Sequence, residues 1–351
     1  MRRQLPRRLP RLIFLLALVA LVAGHCPTTV HAQAQPAPLR IGMIGLDTSH
    51  VISFTKLINS PTAKGDLARI SVVAAYPGGS PSFPPSRDRV KGFTQQVAEM
   101  GITIVDSIPA LLKQVDAVML ESVDGSQHLE QVRPIFKAGK RVFIDKPFTA
   151  SLVDALMILE LSKHSGVPFF SCSSKRYQAE YLSTLAPATI GTVYGCDVYG
   201  TSKSVPNHPD LFWYGVHGCE VLSTVMGPGL ESVTAYQTPT AEHVRGTWTQ
   251  GRIGTFRGLR EGGGKTGFGL TVFGEKKIVQ SGIGSDKEPL LQKMAHFFLT
   301  GETPLPPSAT IEVFTLMQAA EASKANGGKP IVIADFLRNA RKEALKRLAT
   351  P

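Results

Sequence analysis

The chain has 351 residues, of which 43% are hydrophobic and 19% charged, and its formal net charge is +11. This length predicts about two domains, and the 33 glycines and 25 prolines are typical of a globular α/β protein with many turns. The basic residues form no cluster interleaved with aromatic residues, which argues against nucleic-acid binding. The cysteines have no C-x-x-C spacing, so neither a disulfide framework nor a zinc site is indicated.

The first 32 residues have the composition of a secretory signal peptide. Five arginines precede an apolar run at residues 12–23, and the small-residue sequence ending at Ala32 predicts cleavage there. The run is shorter than the roughly 20 residues of a membrane span, so a retained anchor is the weaker alternative. Cleavage removes five positive charges from the net +11 and leaves +6. The protein is therefore expected in the periplasm or outside the cell, with Arg2 and Arg3 loosely matching a twin-arginine export signal.

After a short linker at residues 33–38, the chain has a pattern typical of dinucleotide binding. Residues 39–45 are a buried strand, a turn follows it, and residues 51–59 are helical. In this arrangement a phosphate lies on the helix N-terminus. The turn and the start of the helix are therefore expected to bind a cofactor through Gly45, Thr48, Ser49 and His50.

The glycine fingerprint G-x-G-x-x-G is incomplete. Asp47 stands at the second glycine position and His50 at the third. A carboxylate about 4 Å from a phosphate charge would cost on the order of 4 kcal/mol at intermediate dielectric. The ordinary interpretation predicts that Asp47 caps the helix, and a displaced phosphate site is compatible with it. Taken alone, the motif is weak support for nucleotide binding.

Strand and helix patterns alternate through the first half of the chain, which predicts a parallel sheet with right-handed crossovers. The strand at residues 70–76 ends without the acidic residue that binds the ribose of NAD, and Gly78, Gly79 and Arg87 slightly favour NADP. An ordinary Pro/Ser/Gly loop is the alternative there. Further helices are predicted at residues 90–100, 108–114 and 152–165, and further strands at 102–105, 116–121, 141–144 and 166–171.

An acid, a lysine and a proline arrive together at the end of one of these strands. Gly139 ends a helix, residues 141–144 are a strand, and Asp145, Lys146 and Pro147 follow. In an open parallel sheet the ligand crevice lies at the carboxyl ends of the strands, so Asp145 and Lys146 are placed in it. Taken alone, a surface Asp–Lys pair capping a turn is the more ordinary interpretation.

Residues 137–147, which end in Asp-Lys-Pro, and residues 213–222, which contain His217 and Glu220, resemble two anchors of the Gfo/Idh/MocA family of NAD(P)-dependent oxidoreductases. Asp145 and Glu220 stand where the family has a glutamate and an aspartate. The resemblance covers roughly residues 39–330 and implies that Lys146 and His217 are catalytic. For His217 the alternative is a core histidine on an amphipathic helix.

The resemblance also implies the other site residues. Positions three apart share a helix face, so His217 and Glu220 would point into the same cleft. The implied cofactor for the site is NAD or NADP, and the implied substrate-binding residues are Glu220 and Tyr214. No metal site is expected, because the histidines lack ligand spacing. The implied cofactor-binding residues are Gly45, Thr48, Ser49, His50, Ser122, His128, Asp145 and Lys146.

In the second half, strand patterns follow one another without intervening helices, which predicts a largely antiparallel sheet with helices on one face. The predicted class is α/β, with an N-terminal Rossmann-type parallel sheet (39–170), a C-terminal α+β domain with a largely antiparallel sheet (171–330) and a helical tail (331–351). Gly-Lys-Thr at 264–266 lacks phosphate-loop spacing and indicates a turn. Predicted strands are 192–199, 232–237, 246–249, 267–273 and 277–280, and predicted helices are 290–299, 311–325 and 334–348.

The resemblance implies an oxidoreductase that transfers hydride from a sugar, cyclitol or related polyol and assembles as a homo-oligomer, and the predicted signal peptide adds that it is exported. Two alternatives stay open. One is NAD(P)-assisted glycoside cleavage without net redox, which suits an exported protein that cannot readily recycle free NAD(P)H. The other is a non-catalytic carbohydrate-binding protein that kept the fold, because the glycine fingerprint and the ribose acid are missing.

Overall fold

Six parallel strands form the first sheet of the computed structural model, which describes residues 37–205, 208–260 and 267–350. The strands are β1 (Leu39–Ile44), β2 (Ile70–Tyr76), β3 (Thr103–Ile104), β4 (Ala117–Leu120), β5 (Arg141–Ile144) and β6 (Phe169–Phe170). Their order across the sheet is β3-β2-β1-β4-β5-β6, and every neighbouring pair is parallel. Apolar runs such as β4, which is buried throughout, suit a sheet covered on both faces. The predicted Rossmann-type sheet is confirmed.

Helices cover both faces of this sheet. Several follow their sequence signals: Ser107 and Ser151 cap the fourth and sixth helices through their side chains, and Gly166 ends the sixth in the left-handed conformation. The helices are α1 (His50–Ile58), α2 (Pro84–Arg87), α3 (Val90–Glu99), α4 (Ile108–Leu112), α5 (His128–Lys137) and α6 (Leu152–Ser165).

The second sheet has seven strands and is mixed, with antiparallel pairs predominating. Its strands are β7 (Val193–Thr201), β8 (Leu230–Gln237), β9 (Ala241–Trp248), β10 (Arg252–Leu259), β11 (Gly269–Gly274), β12 (Ile278–Gly282) and β13 (Ile331–Val332). Their order is β12-β11-β7-β10-β9-β8-β13, and only the central pair β7–β10 is parallel among the described residues. The predicted largely antiparallel sheet is confirmed.

The strand prediction was wrong around residues 241–259. The predicted strand 246–249 is the end of the longer β9, and β10 was missed. Glycines have low strand propensity, and β10 contains Gly254 and Gly258. Packing decides this strand, because a Cβ on Gly254 would lie 2.8 Å from Leu222 of the helix that covers the sheet.

The helices of the second half are α7 (Ala179–Leu182), α8 (Pro187–Ile190), α9 (Val216–Met226), α10 (Glu288–Thr300), α11 (Pro307–Ala325) and α12 (Ile333–Ala349). Helices α9 and α11 pack on the second sheet, and α12 packs against α6. Helix α10 returns to the first sheet, where its Leu291 and Met294 share a core with Ile41 and Met43.

The predicted signal peptide at residues 1–32, most of the linker and the turn at 261–266 lie outside the described residues. Within the described residues, no helix has the length and apolar character needed to cross a bilayer. The domain boundaries stay a prediction.

The ends of β1, β4 and β5 lie side by side. Ile44 pairs with Leu120, and Leu120 pairs with Ile144, so the residues that follow these three strands share one rim. At this rim Gly45 has φ +88°, and a Cβ on it would lie 2.3–2.5 Å from the Oγ, N and Cα of Ser122. The first turn therefore requires glycine for two reasons, the left-handed backbone and the close approach of the neighbouring strand.

Gly45→Ala should lower the free energy of unfolding by about 3 kcal/mol or more, because the methyl group displaces the backbone at Ser122. Gly139→Ala is the matched control: Gly139 also has positive φ (+67°), but a Cβ there meets nothing within 4 Å. The control should cost only about 1–2 kcal/mol. Urea unfolding of both variants measures the difference, and equal losses would contradict the close approach.

Candidate active site

The rim of the first sheet is fixed by backbone hydrogen bonds that continue the strand ladder. Glu121 N donates to Ile44 O at 2.7 Å, and Asp145 N donates to Leu120 O at 2.8 Å. The exits of β1, β4 and β5 are therefore held at one level. This arrangement brings together the predicted residues Gly45, Ser122 and Lys146, as the carboxyl ends of parallel strands require.

Asp47 anchors the turn after β1, and the prediction that it caps α1 was wrong. Its carboxylate accepts hydrogen bonds from Val123 N at 2.8 Å and from Ser86 Oγ at 2.6 Å, and the residue is 1% exposed. Burial raises the pKa of Asp47, although the bonds from Ser86 and Val123 oppose the shift. The acid at the second glycine position thus joins three chain segments and is turned away from solvent.

The start of α1 is open to an anion. Ser49 precedes the helix without a side-chain cap, and the first turn contains no acidic residue. Thr48 is buried, and its Oγ1 accepts a hydrogen bond from His50 N at 3.4 Å. Free amides at the start of a nine-residue helix fit a phosphate group, so the turn at residues 45–49 fits the phosphate end of a dinucleotide.

His50 and Asp145 form a close pair across the rim. His50 Nδ1 lies 2.6 Å from Asp145 Oδ2, and the His50 ring stacks on Phe54 at 4.7 Å between centroids. Burial alone would raise the pKa of Asp145, but His50 and then Lys146 outweigh it and lower that pKa. Asp145 is therefore a buried carboxylate, and its pairing with His50 holds the backbone next to Lys146 in place.

The second half of the chain supplies the opposite wall. Lys146 Nζ lies 5.8 Å from the Trp213 ring and 6.0 Å from the Tyr214 ring, and the Tyr214 and His217 ring centroids are 6.0 Å apart. A π-helical turn at Leu211–Gly215 precedes α9 and presents these aromatic residues to the rim. Lys146 and His217, distant in sequence, thus both lie beside Tyr214, and the charge of Lys146 acts on His217.

His217 is buried and neutral at pH 7. Its Nδ1 lies 2.7 Å from Ser173 Oγ. Burial, followed by the positive charges of Lys146 and Lys175, lowers the pKa of His217 well below its ordinary value of 6.5. In the tautomer that donates from Nδ1 to Ser173, Nε2 is free to accept a proton.

Two of the implied site residues have other roles in the structure. His128 is 0% exposed, with Nδ1 2.9 Å from Phe148 O and Nε2 2.8 Å from Ser122 O, so it ties two loops together. Glu220 is buried in an ion pair with Arg176 and is not presented to a substrate. Tyr214 is 39% exposed beside Lys146, where a substrate can reach it.

Sequence reasoning missed several residues of the site. Ser173 and Lys175 follow β6, and Lys175 Nζ lies 4.4 Å from the Phe268 ring centroid and donates to Gly284 O at 2.9 Å. Their position just after a sheet strand could have identified them. Glu121 was assigned to the last position of the predicted strand at residues 116–121, and only its fully buried carboxylate marks it as unusual.

A family model described as an oxidoreductase family with an NAD-binding Rossmann fold (GFO_IDH_MocA) matches residues 81–172. The predicted resemblance to Gfo/Idh/MocA oxidoreductases is confirmed by this match. No curated protein matches the sequence.

Solved structures share the fold along most of the chain. A putative NADPH-dependent oxidoreductase from Desulfitobacterium hafniense has a TM-score of 0.68 at 17% identity, covering 86% of this chain and 99% of that chain. A probable dehydrogenase from Thermotoga maritima has the same TM-score and identity, covering 85% and 100%. Scyllo-inositol dehydrogenase from Lactobacillus casei with bound NAD(H) and scyllo-inositol has a TM-score of 0.68 at 14% identity, covering 85% and 99%. At these identities the likeness establishes the fold.

Asp47→Ala should lower the free energy of unfolding by about 2–3 kcal/mol, because Val123 N and Ser86 Oγ lose a buried acceptor. Asp47→Asn is the matched control, since its amide oxygen can still accept from Val123 and its NH₂ can donate to Ser86. Urea unfolding at pH 7 should show the smaller loss for asparagine. A loss for alanine no greater than that for asparagine would contradict the anchoring role.

Proposed function

We propose that this relative of the Gfo/Idh/MocA oxidoreductases oxidises a sugar, cyclitol or related polyol by hydride transfer to NAD(P). The observation that carries the proposal is that Lys146 and His217 both lie next to Tyr214, beside the open N-terminus of α1. A cationic group and a neutral imidazole at one place suit the removal of a proton from a hydroxyl group.

The chain's own residues divide this chemistry between them. His217 Nε2 takes the hydroxyl proton of the substrate, and the neutral state of His217 at pH 7 leaves it ready to do so. The Lys146 ammonium stabilises the negative charge that develops on the same oxygen. The pair formed by Asp145 and His50 holds the backbone that positions Lys146.

The cofactor would be held by Gly45, Thr48, Ser49 and the first turn of α1, and NAD(P) when bound supplies the hydride acceptor. We infer a slight preference for NADP, because β2 ends at Tyr76 and no acidic residue follows it in Pro77-Gly78-Gly79-Ser80. Arg87 forms an ion pair with the neighbouring Asp88. The inferred preference for NADP therefore rests on the absence of an acidic residue at the end of β2.

Glycoside cleavage without net redox is the second candidate function. The signal-peptide composition of residues 1–32 favours export to the periplasm or the medium, where free NAD(P)H cannot readily be recycled. A transient oxidation followed by elimination and reduction uses the same Lys146 and His217 and returns the cofactor to its starting state. Release of the aglycone without accumulation of NAD(P)H distinguishes it from a dehydrogenase.

We also infer a homo-oligomer from the outer face of the second sheet. Tyr199, Arg257, His243 and Tyr236 form one row across β7, β10, β9 and β8, and both tyrosines are exposed. Tyrosine and arginine are enriched in protein interfaces.

Purified protein should bind a nicotinamide nucleotide, measured by its release on denaturation and by titration with NADP and NAD. Ser49→Asp should weaken binding at least tenfold, because it adds a negative charge where the phosphate lies, while leaving the unfolding free energy equal or about 0.5 kcal/mol higher. Ser49→Asn is the neutral control and should bind nearly as wild type. Protein that releases no nucleotide and ignores both added forms would favour a non-catalytic binding protein.

Lys146→Met should lower kcat by about 10²–10³-fold with the fold intact, since it removes one charged stabiliser of the developing oxyanion. The positive charge of Lys146 lowers the pKa of His217, so the variant should also move the acid limb of the kcat/KM profile to higher pH. Lys113→Met, at an exposed position on the far end of α4, should change neither. Unchanged turnover in Lys146→Met would overturn the role of the lysine.

A further inference from the structure

Glu121 is an unusual residue at the end of β4. It is 0% exposed, and neither of its carboxylate oxygens has a hydrogen-bond donor among the described residues. An unpaired buried carboxylate costs several kcal/mol, and buried polar groups in native proteins nearly always have a partner. A carboxylate buried in this way indicates that its charge is offset either by a bound ligand or by a proton, because no donor group of the protein does so.

Two other side chains of types that can bind metal ions lie close to the Glu121 carboxylate. A nitrogen of His50 and carboxylate oxygens of Glu121 and Asp145 all lie within 4.8 Å of one another. The three residues come from separate elements, the start of α1 and the exits of β4 and β5, and the backbone bonds of the rim fix two of them. The cluster is therefore built by the fold.

We propose that His50, Glu121 and Asp145 form a binding site for a divalent transition-metal ion. One imidazole and two carboxylates are a donor set used for Zn²⁺, Mn²⁺, Co²⁺ and Fe²⁺. Ligand atoms about 2.0–2.2 Å from such an ion lie about 3.3–3.6 Å apart at tetrahedral angles, so the three side chains would close by at most about 1.5 Å. The site goes beyond the proposed dehydrogenase activity, and its presence does not depend on NAD(P).

A second cluster of carboxylates in the same chain already contains a cationic side chain and provides a comparison. Asp210, Glu242 and Glu321 also lie within 4.8 Å of one another. There, however, Lys324 Nζ lies 3.3 Å from Asp210, 3.0 Å from Glu242 and 2.8 Å from Glu321. Lys324 and Arg260, which pairs with Asp210 at 2.5 Å, supply positive charge to that cluster. In contrast, no lysine or arginine forms an ion pair with Glu121 within the described parts of the chain.

A proton is the alternative to a metal ion in the cluster of His50, Glu121 and Asp145. Burial and the neighbouring Asp145 raise the pKa of Glu121 well above its ordinary value, which is what a shared Glu121–Asp145 proton requires. A metal ion replaces that proton when it binds, because its ligands must be deprotonated. Three protein ligands leave positions open for water or for a hydroxyl or carboxylate oxygen of a substrate beside Lys146.

The test uses the tag-free protein, stripped with EDTA and studied without any nicotinamide nucleotide. Titration with MnCl₂, CoCl₂ and ZnCl₂ by calorimetry, with metal content measured by mass spectrometry, should give one ion per chain. Glu121→Gln should lower the affinity at least tenfold, and its amide can donate to Asp145 and preserve the fold. Glu321→Gln, in the lysine-filled cluster, should bind as wild type.

Wild-type protein provides a readout that does not depend on any variant, because Co²⁺ held by an imidazole and carboxylates gives visible absorption bands. Circular dichroism and thermal unfolding without metal verify that Glu121→Gln is folded. The proposal is overturned if no ion binds stoichiometrically up to millimolar concentration, or if Glu121→Gln binds as tightly as wild type. Either result leaves the dehydrogenase proposal standing, since that is tested by nucleotide binding and turnover.

Discussion

The site depends on the alignment of three strand ends. Because β1, β4 and β5 are neighbours in a parallel sheet, the hydrogen bonds from Glu121 to Ile44 and from Asp145 to Leu120 bring their exits to the same level. The polar residues that follow must then lie within a few ångströms of one another. Gly45 allows this approach, since any side chain there would collide with Ser122.

This alignment concentrates charge where little water can reach it. Asp47, Glu121 and Asp145 are all buried at the rim, and they differ in the partners that stabilise the buried carboxyl group. Asp47 accepts hydrogen bonds from a backbone amide and a hydroxyl, Asp145 pairs with His50, and Glu121 has neither. The same low dielectric acts on His217, which stays neutral because burial and two nearby lysines disfavour its protonated form.

The incomplete glycine fingerprint has a structural explanation. A carboxylate at the second glycine position would repel a phosphate if it faced the start of α1, but Asp47 is directed to Val123 and Ser86. The helix start remains without a side-chain cap and without an acidic residue in its first turn. Aspartate at the second glycine position thus changes the contacts that stabilise the turn, while the helix N-terminus keeps the features that attract an anion.

Local sequence patterns were enough to predict the class of fold and most of the first sheet, because hydrophobic periodicity and turn residues act over a few neighbouring positions. They also placed Lys146 at a strand end and His217 on a helix. Only the tertiary structure showed that His128 and Glu220 are used internally, that β10 exists, and that His50, Glu121 and Asp145 meet. Burial, close approach and the pairing of charges depend on residues far apart in the chain, such as His50 and Asp145, which are 95 positions apart, and no local pattern records them.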